Sequence, residues 1–230
     1  MKTIGLLGGM SWESSQIYYR LINQHVRDQL GGLTSAPIVM MSVNLADLKP
    51  LQHAGDWEAA GAFLAKPAMA AEAAGAELLA ICSNTMHKVA DAVSRVVSVP
   101  LVHIADASAT AIKTAGIETV GLLGTRFTME QAFYRDRLES LGVKVLVPAA
   151  EERNMIHNVI FDELCLGVIS DASREKYLRV ISNLSAEGAQ GMILGCTEIG
   201  LLVDATHTAT PLFDTAAIHA EEIVRQALTK

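Results

Sequence analysis

The chain has 230 residues and a formal net charge of −7; half of its residues are hydrophobic and 19% are charged. Such a composition excludes a disordered chain, and an acidic balance without a basic stripe excludes a nucleic-acid surface, which needs clustered Lys and Arg. No apolar run reaches the roughly 20 residues that span a bilayer, so no membrane is expected as a partner.

The opening MKTIGLLGGMSWESS reads as a first strand running into a turn, too short and wrongly flanked for a secretory signal, and the chain is expected to be cytoplasmic. Short apolar runs that close in Gly, Asn or Asp then alternate with stretches of helical period, the pattern of an α/β fold with mostly parallel sheets covered by helices. In chain order, strands are predicted over Thr3 to Leu7, Ile38 to Val43, Glu77 to Cys82, Leu101 to Ile104, Thr119 to Leu123, Met192 to Gly195 and Pro211 to Phe213. Helical stretches fall over Trp57 to Ala74, Thr128 to Leu141, Asn154 to Leu166, Ala172 to Glu187 and Thr215 to Leu228.

The two halves repeat each other at three places in the same order. TIGLLG (Thr3 to Gly8) matches TVGLLG (Thr119 to Gly124); ELLAICSNT from Glu77 reads against QGMILGCTE from Gln190; PLVHIADA from Pro100 pairs with PLFDTAAI from Pro211. Offsets that drift by only a few residues are those of two homologous lobes with small loop deletions. The lobe boundary is expected within Ala105 to Thr119, dividing the chain into residues 1–110 and 111–230, with the last helix free to pack back on the first lobe.

Ligands of doubly wound sheets sit beyond the carboxyl ends of the strands, and two facing lobes would place both sets of strand-end turns around one cleft. Those turns are Gly8 to Ser11, Ser83 to Thr85, Thr125 with Arg126, Cys196 to Glu198, and Asp214 with Thr215. GLLGGM lacks both the G-x-G-x-x-G spacing and a following Lys-Ser, so it reads as a tight strand-to-helix turn. CSNTMH and GCTEIG carry the chemistry, since each closes a buried strand and they occupy matching places, setting Ser83 beside Cys196 in the repeat. A cysteine at a helix N-terminus suits a thiolate, which is the expectation for Cys196. Strand alternation turns Cys82 into the packing, and Cys165, within a predicted helix, reads as core. The histidines do not have metal-ligand spacing, no metal is expected, and no G-x-S-x-G elbow marks a serine hydrolase. His87 and Glu198 stand where they could face the cleft. Arg126 and Lys88 are either partners for a substrate carboxylate or solvent-facing charges.

IGLLGGMSWESS with YYRLIN, CSNTMHK, the stretch from Leu122 to Arg135, IFDELCLG, GCTEIGLL and PLFDTAAIHAE together resemble the aspartate/glutamate racemase superfamily along essentially the whole chain. The resemblance implies a pseudo-symmetric two-lobe α/β protein, commonly a homodimer, that racemises or epimerises small amino acids with neither pyridoxal phosphate nor a metal, hence no cofactor. It implies two cysteines on opposite sides of Cα, because inversion needs deprotonation on one face and reprotonation on the other. This chain carries Ser83 where the first of the two stands in the family. The site then consists of Cys196 as thiol base and Ser83 opposite it. Asn84, Thr85, Thr125 and Thr197 are candidate donors to the substrate carboxylate, and Met10 and Gln52 resemble positions that face substrate. A one-cysteine decarboxylase or isomerase of the same superfamily, an amino-acid-binding protein with impaired catalysis, and a thiol hydrolase are the competing readings.

Overall fold

A computed structural model describes residues 1–229. The chain forms two compact units, one of Met1–Ile104 together with the chain from His219 on, the other of Ala105–Ile218. The boundary expected after residue 110 is thus drawn by the packing at Ile104, and the last helix, Thr215–Leu228, runs from the second unit into the first.

The first unit holds a four-stranded sheet of β1 (Ile4–Gly8), β2 (Ile38–Ser42), β3 (Leu78–Ile81) and β4 (Leu101–Val102), all parallel, in the order β2-β1-β3-β4. In the second unit β5 (Thr119–Gly124), β6 (Lys144–Leu146), β7 (Gly191–Gly195) and β8 (Leu212–Asp214) form a parallel sheet in the order β6-β5-β7-β8. Strands β1, β3 and β7 are buried throughout, as continuous apolar runs covered on both faces must be.

The duplication extends to the pairing register. Ile4 pairs with Leu78 and Leu79 with Leu101; their counterparts in the repeat, Val120 with Gly191 and Met192 with Leu212, pair in the same way. A one-residue slip in either half would turn every inward side chain outward, so the shared register records a shared core. Ile4 also pairs with Ile38 as Val120 pairs with Val145, which adds a fourth match, β2 with β6, that the sequence comparison missed.

Several elements differ from expectation. Strand β6 lies in a stretch where no strand was predicted; it has three residues and an exposed Lys144, too little for an apolar run to register. The helix predicted over Thr128 to Leu141 is two, Arg126–Glu130 and Ala132–Ser140, because Gln131 is extended (φ −89°, ψ 144°). The helix predicted to reach Leu166 runs over Ala150–Asp162 and gives way to a 3-10 turn at Leu164–Leu166, which leaves Cys165 half-buried and not in the core. Among the described residues no helix is long and apolar enough to cross a membrane.

The GGMSWESS segment is a sewn turn. Ser11 caps the helix Trp12–Leu30 by accepting from Ser14 N at 3.2 Å, and Ser15 Oγ accepts from Gly9 N at 2.7 Å while donating to Ser11 O at 3.0 Å. Ser14 Oγ donates to Cys82 O at 3.1 Å and thereby ties this turn to the end of β3. Gly9 has φ +83°, and a Cβ there would stand 2.0 Å from Val43 O. Gly9→Ala therefore combines a strained backbone with a backbone clash, and a loss of about 3 kcal/mol or more is expected from the urea midpoint. A loss under about 1 kcal/mol would show that the turn yields easily.

Candidate functional site

The predicted site residues fall into two sets, one per unit. In the first unit Met10 and Met86 share a buried apolar cluster, and Gln52, on the helix Leu45–Ala54, donates from Nε2 to Met86 Sδ at 3.1 Å. Gln52 therefore stands against the turn that follows β3, and Met10 belongs to the same buried cluster as that turn's Met86. In that turn every residue from Leu78 to His87 is buried except Ser83. Ser83 Oγ accepts from Met86 N at 3.4 Å, a bond that uses an oxygen lone pair and leaves the hydroxyl proton to be given elsewhere. Asn84 and Thr85 are buried beside it.

In the second unit Gly124 and Gly195 are register partners at the ends of β5 and β7, so Thr125 and Cys196 follow directly from a paired position. The strand ends come close there: a Cβ on Gly195 would lie 2.7 Å from Leu123 O. Thr125, buried, caps the short helix Arg126–Glu130 by accepting from Thr128 N at 3.3 Å. From Gly191 to Ile199 every residue is buried except Cys196. Ser83 and Cys196, equivalent in the repeat, are each the one accessible residue in a buried run at a strand end.

Cys196 has a partner that its spacing did not reveal. Its thiol donates to Glu198 Oε2 at 2.9 Å, and Thr197 Oγ1 donates to the same oxygen at 2.7 Å. The hydroxyl proton of Thr197 is thus committed to Glu198 and not to a ligand. Burial, then the Glu198 charge, then Cys165 push the Cys196 thiol well above its ordinary pKa. This corrects the thiolate expectation. The helix after Cys196 is only Ile199–Leu202, and Glu198 occupies its cap, so a carboxylate stands where the dipole argument needs positive potential. The resting group is a thiol hydrogen-bonded to a carboxylate, which can take its proton. Burial raises the pKa of Tyr177 well above its ordinary value, with Cys196 nearby a lesser cause, and its hydroxyl donates to Ile156 O at 3.2 Å.

The remaining candidates have other occupations. Cys82 is core, 1% exposed, and burial drives its thiol far above the usual range. The Lys88 ammonium lies 4.4 Å from the Trp57 ring centroid, a cation–π contact, and desolvation lowers its pKa. Arg126 is exposed, with Nη1 3.4 Å from Asn154 Oδ1. Asp214 Oδ1 accepts from Ala216 N and Ala217 N at 2.9 and 3.2 Å and caps the last helix, and Thr215 Oγ1 ties that helix start to Leu194 O at 2.7 Å. His87, expected as a residue that could face the cleft, is buried, and both of its ring nitrogens are engaged within the first unit.

Two duplicated parallel α/β units, each ending its third strand in a residue more exposed than the buried run around it, Ser83 in one and Cys196 in the other, define the class of protein to which the chain belongs. The sequence profile of the Asp/Glu/Hydantoin racemase family matches residues 7–223, and the chain belongs to that family. It is similar to a candidate Asp/Glu racemase from Yersinia pestis, 53% identical over the whole of both chains with a TM-score of 0.92. It is also similar to an aspartate racemase homologue from Pyrococcus horikoshii, 36% identical, again over both whole chains, with a TM-score of 0.87. A glutamate racemase of Hydrogenobaculum sp. is 26% identical over 126 residues, 54% of this chain. That match spans about half, 47%, of the curated relative's length.

Proposed function

We propose that this protein is a cofactor-independent amino-acid racemase or epimerase acting on aspartate, glutamate or related small amino acids, in the cytoplasm and as a homodimer. The observation that carries the reading is the equivalence of Ser83 and Cys196, each singly accessible at the end of the same strand of a duplicated fold, with Glu198 on the thiol. Glu198 takes the thiol proton, the Cys196 thiolate removes the α-proton of the L-isomer, and the Cα–H bond is exchanged for an S–H bond. Ser83, or a water held by it, gives a proton to the opposite face of the carbanion; solvent then restores the serine proton and takes up the proton held on Glu198, which returns the site to its resting state. The α-proton is weakly acidic, so donors must hold the substrate carboxylate as charge develops; Asn84, Thr85 and Thr125, with neighbouring backbone N–H groups, are assigned that role. Thr197 acts on the thiol side, by holding Glu198, and Met10 and Gln52 shape the pocket around the side chain.

The test is exchange at Cα in deuterated water, run separately from each isomer of aspartate and glutamate without added cofactor. Exchange is expected to be faster from the L-isomer, and faster exchange from the D-isomer would reverse the assignment of the two groups. Ser83→Ala is expected to slow inversion by about 10²-fold while slowing L-isomer exchange far less. Equal losses of both would remove Ser83 from the proton path. The single thiol also suits a decarboxylase, which needs only to protonate a carbanion on one face; release of carbon dioxide from a substituted malonate without amino-acid exchange selects that reading.

A further inference from the structure

The 3-10 turn Thr85–Val89 follows Ser83 directly. In such a turn the backbone N–H of His87 bonds to Asn84 O, at 3.1 Å, one residue nearer than in an α-helix. The Ser83 carbonyl is thereby denied its α-helical partner, and the His87 side chain supplies one: Nδ1–H donates to Ser83 O at 2.7 Å. Nε2 of the same ring accepts from Ile104 N at 3.2 Å, so one neutral tautomer satisfies both contacts. The ring is held from two further sides, its centroid 4.5 Å from that of His103 and 5.6 Å from that of His219. His219 is fixed in turn, donating from Nε2 to Val102 O at 2.9 Å and accepting at Nδ1 from Tyr18 Oη at 2.8 Å. Burial lowers the pKa of His219 to about 4, which keeps it neutral in this arrangement at neutral pH.

We infer that His87 is a positioning residue for the hydroxyl of Ser83, setting the serine backbone through its carbonyl and bracing it on Ile104, where the chain leaves the first unit. The inference rests on the reading of Ser83 as the group that delivers the second proton. A ring fixed at both nitrogens holds the carbonyl in one place, and a displacement near 1 Å at a proton donor is worth about 10²-fold in rate.

The two functions of the ring can be separated by isosteres. Asn places an N–H where Nδ1 stands and Gln places an acceptor where Nε2 stands. His87→Asn should keep the Ser83 contact and retain inversion within about threefold, whereas His87→Gln should keep the Ile104 contact and lose inversion by about 10-fold to 10²-fold. In His87→Gln, α-proton exchange from the L-isomer should stay within about threefold of the parent, because Cys196 is untouched. The double variant Ser83→Ala/His87→Gln should be no slower than Ser83→Ala alone.

Parallel loss of exchange and inversion in His87→Gln, retained inversion in both single variants, or additive loss in the double variant each overturns the inference. Should His87→Gln fail to fold, His87→Asn carries the test alone, and loss of its inversion is the overturning result. Ser83→Ala run alongside separates the two claims. If it leaves inversion intact, the assignment of Ser83 falls; if it slows inversion while His87→Gln does not, only the role of His87 falls.

Discussion

Cys196→Ala is expected to abolish α-proton exchange from both isomers, a fall of about 10³-fold or more, while leaving the fold intact. Truncation removes a half-buried Sγ that is hydrogen-bonded to Glu198, and that carboxylate oxygen keeps its bond from Thr197. The stability change should therefore be small, within about 1 kcal/mol. On the proposed mechanism the chemical loss is large because Cys196 is the group assigned to remove the α-proton, Glu198 acts on Cα only through that thiol, and the Ser83 hydroxyl has no usable alkoxide near neutral pH to replace it. Cys82→Ala and Cys165→Ala serve as controls, and exchange that survives in Cys196→Ala but not in either of them would move the base elsewhere.

The second large effect is expected at Glu198. On the proposed mechanism a thiol raised by burial and by the Glu198 charge reaches its reactive form by passing a proton to Glu198, and the rate is then expected to be flat with pH across neutrality. Glu198→Gln deletes the acceptor and the charge together. Loss of the charge brings the thiol pKa down from its parent value, yet burial, its largest cause, still holds it high. The variant must then draw thiolate from solvent equilibrium, and its rate should fall by about 10²-fold at pH 7 and rise about tenfold per pH unit towards the new thiol pKa. A Gln variant with the parent's rate and a flat profile would take Glu198 out of the proton path.

Much of this arrangement is legible in the amino-acid sequence. Buried parallel strands announce themselves as apolar runs closing in Gly, as in β1, β5 and β7, or shortly before Asn, as in β3, which is why the predicted bounds of all four lie within a residue of the observed ones, and the repeat sets Ser83 against Cys196 in the alignment of the halves. Strand β6 was not readable because a three-residue edge strand with a lysine leaves no run to detect. The break at Gln131 has no Gly or Pro to mark it. The Cys196 and Glu198 pair escaped for another reason: residues two apart lie on different faces of a helix and, though on one face of a strand, about 6.6 Å apart, so they meet at hydrogen-bond distance only where the backbone turns. The thiolate expectation erred by treating any strand-to-helix junction as positive, whereas here the following helix has four residues and a carboxylate at its cap. The serines of GGMSWESS were legible as a turn, but their role in joining β1 to β3 depends on a contact 68 residues away.

The unlike pair at equivalent strand ends, a hydroxyl on one and a thiol on the other, has a thermodynamic consequence for the proposed reaction. Free L- and D-amino acids are mirror images, so their equilibrium constant is one, and detailed balance requires kcat/KM to be equal in the two directions whatever groups do the work. Replacing a thiol by a serine cannot make a one-way valve. It can only redistribute the bound states, so that a higher kcat in one direction is matched by a proportionately higher KM, and the slow serine step throttles both directions alike.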